Sequence, residues 1–333
     1  MSYQGILAHW RRCVRARRAG HTIGCLLLAG LALSGHNALA WNAAGHRLSA
    51  AIAWTEMTPS TREKIEALLA VHPAQGDWLQ RLGRGTRPSQ SASAADGRAR
   101  FAEASTWADD IRRDERFSDQ APDAGAKNDD ETARHRDWHY LNWLIDGTVS
   151  GPPSHLGGQL DRALERQSRR LADPSLSPQA RAQALVWLVH LLADAHQPLH
   201  VASWRAADGS IDAGGLAFKV HDDAKPRFAE TSLHSWWDDL PGPPWLRGEH
   251  LIERAAILLN VYPAAQVRQG SFSDWLSESF ALAQNSVRPS VSEPGQPWPV
   301  TAEYRTLAKK ISERRLVEAG VRLGRLLNTA LKD

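Results

Sequence analysis

The sequence predicts an all-α fold, one mostly helical domain with a short β-hairpin near residues 210–221. Three observations carry this. Helix caps and apolar residues at helical spacing recur along the chain, strand patterns are scarce, and no linker or internal repeat divides it. Beyond residue 40 about 290 residues remain, long enough for one large core.

Residues 1–40 read as an export signal. Arg11, Arg12, Arg15, Arg17 and Arg18 form a basic head, Ile23 to Leu33 an apolar run, and Ala38-Leu39-Ala40 a small-residue cleavage site before Trp41. The run of 11 residues is too short for a permanent membrane anchor. The expected mature protein is therefore residues 41–333, exported to the periplasm or beyond, with no membrane anchor left.

Further along, Thr58-Pro59-Ser60-Thr61-Arg62-Glu63 contains a capping box and leads into the helical stretch Ile65 to Ala70. Gly83 to Arg98 and Asp119 to Asp137 have loop composition. Ser177-Pro178 supplies a cap and a first-turn proline for a helix reaching Ala195. Leu216 to Val220, after Gly214-Gly215, is the best strand signal and predicts half of the hairpin. Helical periodicity returns at 249–260. After a connector from Pro289 to Pro299 it resumes at 301–331, with Gly320 expected to kink or break the helix.

Composition narrows the function. The chain carries 40 basic and 37 acidic side chains. Five of the arginines and none of the acids lie in residues 1–40, so the mature part has 35 against 37, a net of −2. The basic isoelectric point reflects the leader and does not indicate a nucleic-acid-binding surface. Cys13 and Cys25 leave with the leader too. An exported domain without disulfides needs another means of tying its core together, and bound metal is one.

The helix from 184 to 195 is apolar except for His190 and Asp194, one turn apart on the same face. A carboxylate on so oily a helix needs a partner. A metal ion satisfies it, with His200, just past Pro198, bending back to the same cavity; a hydrogen-bonded polar seam is the alternative. Cleavage after Ala40 would also free the Trp41 amine, which with the Trp41 carbonyl can chelate a metal, and His46 follows five residues later. Three more segments offer ligands: Thr106 to Arg112 with Asp109, Asp137 to Trp143 with His139, and Leu233 to Asp238, which repeats the His-x-x-x-Asp spacing as His234 and Asp238. Five histidines and three aspartates in apolar or aromatic settings exceed the needs of one zinc and point to a cluster of two or three.

With these residues in view, the sequence resembles the secreted zinc-dependent single-strand nucleases of the nuclease I family. The resemblance spans residues 41–330. It rests on Trp41-Asn-Ala-Ala-Gly-His46, Trp107-Ala-Asp109, His139-Tyr140, His190-x-x-x-Asp194-x-x-x-x-x-His200 with Gln197-Pro198-Leu199, His234-x-x-x-Asp238, and the ending Ala319 to Asn328. It implies a phospholipase C/nuclease-like helical fold holding three Zn2+ per chain. One ion would be held by Asp109, His139, His190 and Asp194. A second would be held by the Trp41 amine and carbonyl, His46 and the other oxygen of Asp194, and a third by His200, His234 and Asp238. It further implies hydrolysis of single-stranded DNA and RNA to 5′-nucleotides by zinc-activated water, with removal of 3′-phosphates from nucleotides. Asp109 and Asp194 would be catalytic through the metals, Arg112 would contact phosphate, Tyr140 would stack a base, and Asn142 and Gly215 would line the base site. No obligate protein partner is implied.

Two positions depart from the family pattern. Asn142 stands where an acid is usual, and Gly214-Gly215-Leu216 where the pattern reads Gly-Gly-Asn. Two other functions fit the ligand list: a zinc-dependent phospholipase C, against which the short Trp41-to-His46 gap and Asp238 argue, and an exported zinc-binding protein without catalysis.

Overall fold

The helix at the centre, Pro178–Asp194, is buried on every side from Ala184 onward, as that stretch, apolar but for His190 and Asp194, demands. The computed structural model describes residues 41–83, 96–119, 133–145, 156–205, 208–225, 230–289 and 296–332. The expected export signal and most of the loops placed at 83–98, 119–137 and 289–299 lie outside these residues.

In chain order the helices are α1 (Ala43–Glu56), α2 (Pro59–Val71), α3 (Gln75–Gly83), α4 (Gly97–Ala104) and the short α5 (Trp107–Asp110). Then come β1 (Trp143–Ile145), α6 (Leu160–Ala172), α7 (Pro178–Asp194), α8 (Pro198–Val201), β2 (Ala202–Trp204), β3 (Lys219–His221) and β4 (Glu230–Ser232). The chain closes with α9 (Leu233–Asp238), α10 (Gly248–Val261), α11 (Phe272–Leu282), β5 (Trp298–Pro299) and α12 (Ala302–Ala330). Single 3-10 turns cover Ile111–Arg113 and Arg136–His139.

Local chemistry sets most of the helix starts. Ser177 caps α7 by accepting from the Ala180 N–H, with Pro178 as its first residue. The cap of α2 falls within the expected stretch Thr58 to Glu63: Thr58 accepts from the Thr61 N–H and Pro59 opens the helix, which makes Thr61 and not Glu63 the third helical residue. The proline fixes the first turn, so the cap falls on the residue before it.

Two expectations needed tertiary information. α12 runs unbroken through Gly320, because that residue is a contact and not a hinge. A Cβ there would meet Ile52 Cβ at 2.6 Å, and one at Gly324 would meet the Ala53 carbonyl at 2.6 Å. The two glycines let α12 lie directly on α1. The hairpin, expected near 210–221, falls later. Residues 213–218 form turns, and β3 pairs antiparallel with β4, Val220 opposite Thr231, and parallel with β5. β1 and β2 pair in parallel, Leu144 opposite Ser203.

The apolar interior has two parts. One gathers around α7, α6 and α2, with Trp107, Trp138 and Trp187. The other lies among Leu48 and Ile52 of α1, Trp236 and Trp237 of α9, and Leu316 and Val317 of α12. Helices α1 and α7 touch, and each contributes side chains to both parts. The polar ends of these two helices carry His46, His190 and Asp194.

Candidate metal centre

Three groups of histidines and aspartates gather in the described residues: His46, Asp109 and His190; His139, His190 and Asp194; and His200, His234 and Asp238. Each comes from a different part of the chain. His46 stands one turn into α1 and stacks on His190 of α7, with ring centroids 3.9 Å apart. Asp109 is on α5, and His139 ends the 3-10 turn Arg136–His139. His200 lies on α8, which starts where Pro198 ends the turn after α7. His234 and Asp238 are one turn apart on α9.

The fit of these groups to metal can be read from protons and lone pairs. His190 Nδ1 lies 2.9 Å from the Ser105 carbonyl, His200 Nδ1 2.6 Å from the His139 carbonyl, and His234 Nδ1 2.8 Å from the Gly214 carbonyl. A carbonyl can only accept, so each ring spends its Nδ1 proton there and keeps Nε2 for a ligand. His190 Nε2 then faces His139 Nδ1 at 3.0 Å and Asp194 Oδ2 at 3.3 Å. His139 Nδ1 is 3.2 Å from the same oxygen, and Asp109 Oδ1 lies 3.8 Å from His190 and 3.9 Å from His139. Four donor atoms around one point would repel each other unless a cation stood between them. Zinc bonds of 2.0–2.1 Å in a tetrahedron give ligand-to-ligand edges of about 3.3 Å, which these spacings bracket.

The second group shares its acids with the first. Asp194 Oδ1 lies 3.6 Å from His46 Nε2, and Asp109 turns its own second oxygen to the same nitrogen at 3.9 Å. Both aspartates therefore divide their oxygens between His46 and the His139–His190 pair, where sequence reasoning gave that role to Asp194 alone. Neither nitrogen of His46 has a hydrogen-bond partner among the described residues, nor does Asp194 Oδ1 or Asp238 Oδ2. All are buried, so these atoms are left for something that the described residues do not supply.

Titration behaviour agrees. Burial pushes the Asp194 carboxyl up to about 6, against the pull of His190. Burial also raises Asp238 well above the carboxylate range, with Asp194 and Asp109 adding to it. Burial holds His46 and His139 neutral, the form in which imidazole binds metal. At His190 burial opposes the charged ring, but Asp194 and Asp109 outweigh it and carry the group to about 9.

Trp41 is buried against the cluster, its indole N–H donating to the Ala193 carbonyl at 3.1 Å. The next residue ties down the start of the chain: the Asn42 N–H donates to the Asp238 carbonyl at 3.1 Å, and its side chain caps α1. Arg112 reaches Asp109 Oδ1 at 3.4 Å and is nearly buried. Tyr140 and Asn142 are half-buried on either side of the buried Leu141. Gly214 and Gly215 both take left-handed backbone; a Cβ on Gly214 would meet the Leu199 carbonyl at 2.4 Å, so only glycine brings the Gly214 carbonyl to His234.

Sequence reasoning missed the residues that orient the ligands. Gln197 donates to Asp238 Oδ1 at 2.8 Å and accepts from the Leu199 N–H at 2.7 Å. Its place before the first-turn proline of α8 marks it as a cap, but nothing local ties it to residue 238. The carbonyls of Ser105, His139 and Gly214 leave no trace in residue type.

The family model for S1/P1 nuclease matches residues 41–332. The chain belongs to the S1/P1 nuclease family. The match covers all the described residues, and membership makes the protein a nuclease, a phosphodiesterase of the hydrolase class acting on nucleic acid. No curated protein gives a significant match. Among the described residues no helix is long and apolar enough to cross a membrane.

Proposed function

We propose that this S1/P1 nuclease is an exported, zinc-dependent enzyme that cleaves single-stranded DNA and RNA to 5′-nucleotides and removes 3′-phosphates. The observation that carries the reading is the convergence of three His/Asp groups on Asp194 and its neighbours, with buried ligand atoms left without hydrogen-bond partners among the described residues.

Three zinc ions are proposed, one per group. Asp109, His139, His190 and Asp194 would hold the first. His46, Asp194 and the Trp41 amine and carbonyl would hold the second, and His200, His234 and Asp238 the third. Bound zinc supplies a water that ionises near neutral pH and offsets the charge of the phosphate. The chain's own groups do the rest. Asp109 and Asp194 fix the spacing of the ligand sets by dividing their oxygens. Arg112, held toward the cluster by Asp109, donates to a phosphate oxygen and meets the charge that grows as the P–O3′ bond breaks. Tyr140 stacks an unpaired base, while a duplex keeps its bases out of reach; this is the physical source of the single-strand preference. Asn142 and Gly215 line the same pocket. The Trp41 amine requires removal of residues 1–40, so export processing and assembly of the site would be one event.

The test is an assay of the processed protein on single-stranded DNA, duplex DNA, RNA, 3′-AMP and phosphatidylcholine, with and without chelator, alongside elemental analysis. The expected result is chelator-sensitive cleavage of single strands and 3′-AMP, with three zinc ions per chain and Trp41 as the first residue. Lipid cleavage without nucleic-acid cleavage, or full activity in protein free of metal, would refute the proposal. A variant with one extra residue ahead of Trp41 is expected to bind less zinc, because an amide nitrogen is a poor ligand.

A further inference from the structure

Two arginines close on a single aspartate just behind Arg112. Arg136 Nη2 donates to the Arg112 carbonyl at 2.9 Å, and Arg134 Nη2 donates to the Asp114 carbonyl at 2.8 Å. Each guanidinium is thus pinned by the backbone of the segment that carries Arg112. Their remaining sides converge on one carboxylate. Arg136 Nε lies 2.9 Å from Asp119 Oδ1, and Arg134 Nη1 lies 3.0 Å from Asp119 Oδ2. The Arg134 N–H donates to the Ser118 carbonyl at 2.8 Å, which holds the two stretches of chain side by side.

These bonds also place the fork in the site. On one side it grips the peptide of Arg112, the residue proposed to meet the scissile phosphate. On the other, Arg136 opens the 3-10 turn that ends in the metal-group residue His139. A strand with one phosphate at Arg112 carries further phosphates along its backbone. Guanidinium N–H groups aimed at two oxygens of one carboxylate are equally suited to two oxygens of a phosphate. Asp119 holds the position only weakly. Its side chain is 59 % exposed, against 14 % for Arg134, so water and salt screen its attraction. The arginines keep their carbonyl anchors when that carboxylate swings away. A phosphate on a strand already held at the cluster competes at high effective concentration.

We infer that Arg134 and Arg136 form a second phosphate subsite, which takes a non-scissile phosphodiester of the substrate strand and which Asp119 fills while no strand is bound. This rests on the proposal that Arg112 meets the scissile phosphate at the cluster.

The experiment measures kcat/KM of the native enzyme on two RNA substrates. The dinucleotide ApA has the scissile phosphate alone, whereas oligoadenylate offers neighbouring phosphates to the fork. Arg134→Gln is expected to lower the oligoadenylate-to-ApA ratio about fivefold, the scale of one hydrogen bond between charged groups at a part-exposed site. The decline of oligoadenylate binding with salt should become shallower by about 0.7 in the log–log slope. Asp119→Asn removes the competing charge and is expected to raise the ratio about threefold, the scale of an exposed ion pair. This opposite sign separates a phosphate subsite from a purely structural ion pair, whose loss would not improve activity on the longer strand. A ratio that Asp119→Asn lowers or leaves native, or that Arg134→Gln leaves native, overturns the subsite while the nuclease reading stands. Cleavage of neither substrate by the native enzyme removes that reading and this inference with it.

Discussion

Two sides of one turn, Asp194 to His200, treat the same residue types in opposite ways. On the front, Asp194 and His200 face the cluster, where buried oxygens and nitrogens are drawn together without protons to share. On the back, His196 points into a completed network. Its Nδ1 lies 2.8 Å from the Leu192 carbonyl and its Nε2 accepts from Arg322 at 2.9 Å. Arg322 also binds both oxygens of Glu278, at 2.6 and 2.9 Å, and Arg315 joins Glu278, Glu318, Ser279 and the His196 carbonyl. Ser279 donates to the Ala195 carbonyl. Histidine as such signals nothing; what separates a ligand from a structural imidazole is whether the protein has already satisfied it.

The largest expected effect comes from the front. Asp194→Asn removes charge from a residue whose two oxygens face two ligand sets, and activity is expected to fall on the order of a thousandfold, with metal content reduced. Steady-state kinetics with elemental analysis checks it, and a variant that keeps both would erase the contrast. The back should respond differently. Arg322→Met breaks the ion pair between buried Arg322 and partly exposed Glu278 and leaves His196 Nε2 without a donor, with an expected loss of about 2 kcal/mol in urea unfolding. Metal bound per folded molecule should stay near the native value. Equal losses of metal from both variants would mean that the two sides are not separable.

Gln197 stands between them, since it orients Asp238 without facing the cluster itself. Gln197→Leu is expected to weaken zinc binding about 10- to 100-fold while stability changes little, which competition with a chromophoric chelator would measure. The smallest effect marks the boundary of the comparison. His72 has a buried Nε2 with no partner among the described residues, yet it sits between Trp78 and Trp107 with no carboxylate in its group. Burial lowers it to about 4, and its Nδ1 accepts from the Ala74 N–H at 3.1 Å. The unfolded chain takes up this proton near pH 6.5 and the folded one near 4, so stability is full above 6.5 and declines as pH falls. The expected decline from pH 6.5 to 5 is about 2 kcal/mol. His72→Gln should flatten that slope by one proton in denaturation curves; an unchanged slope would assign the acid sensitivity elsewhere.

What could be read without the fold was what neighbouring residues decide among themselves. Ser177-Pro178 starts a helix because a hydroxyl and a ring act within one turn. The oily run around His190 and Asp194 announced a buried polar pair because a spacing of four needs no tertiary knowledge. The ligand types pointed to metal for the same reason. The stretch Thr58 to Glu63 announced the start of α2, and the proline after Thr58 fixes which of its hydroxyls caps the helix.

Everything that depends on which surfaces meet stayed hidden. Gly320 looked like a break until Ile52 was found pressed against it, and the strand at Lys219 could not name its partner at Glu230. Aspartate 109 could be nominated as a ligand, but the division of its oxygens appeared only once α1, α5 and α7 were assembled. The backbone carbonyls that choose the imidazole tautomers belong to residue types with no tendency of their own to mark a site. Helix starts and ligand chemistry are short-range properties of side chains; proton direction and shared carboxylates are properties of contacts, and contacts between residues 46, 109 and 194 exist only in the folded chain.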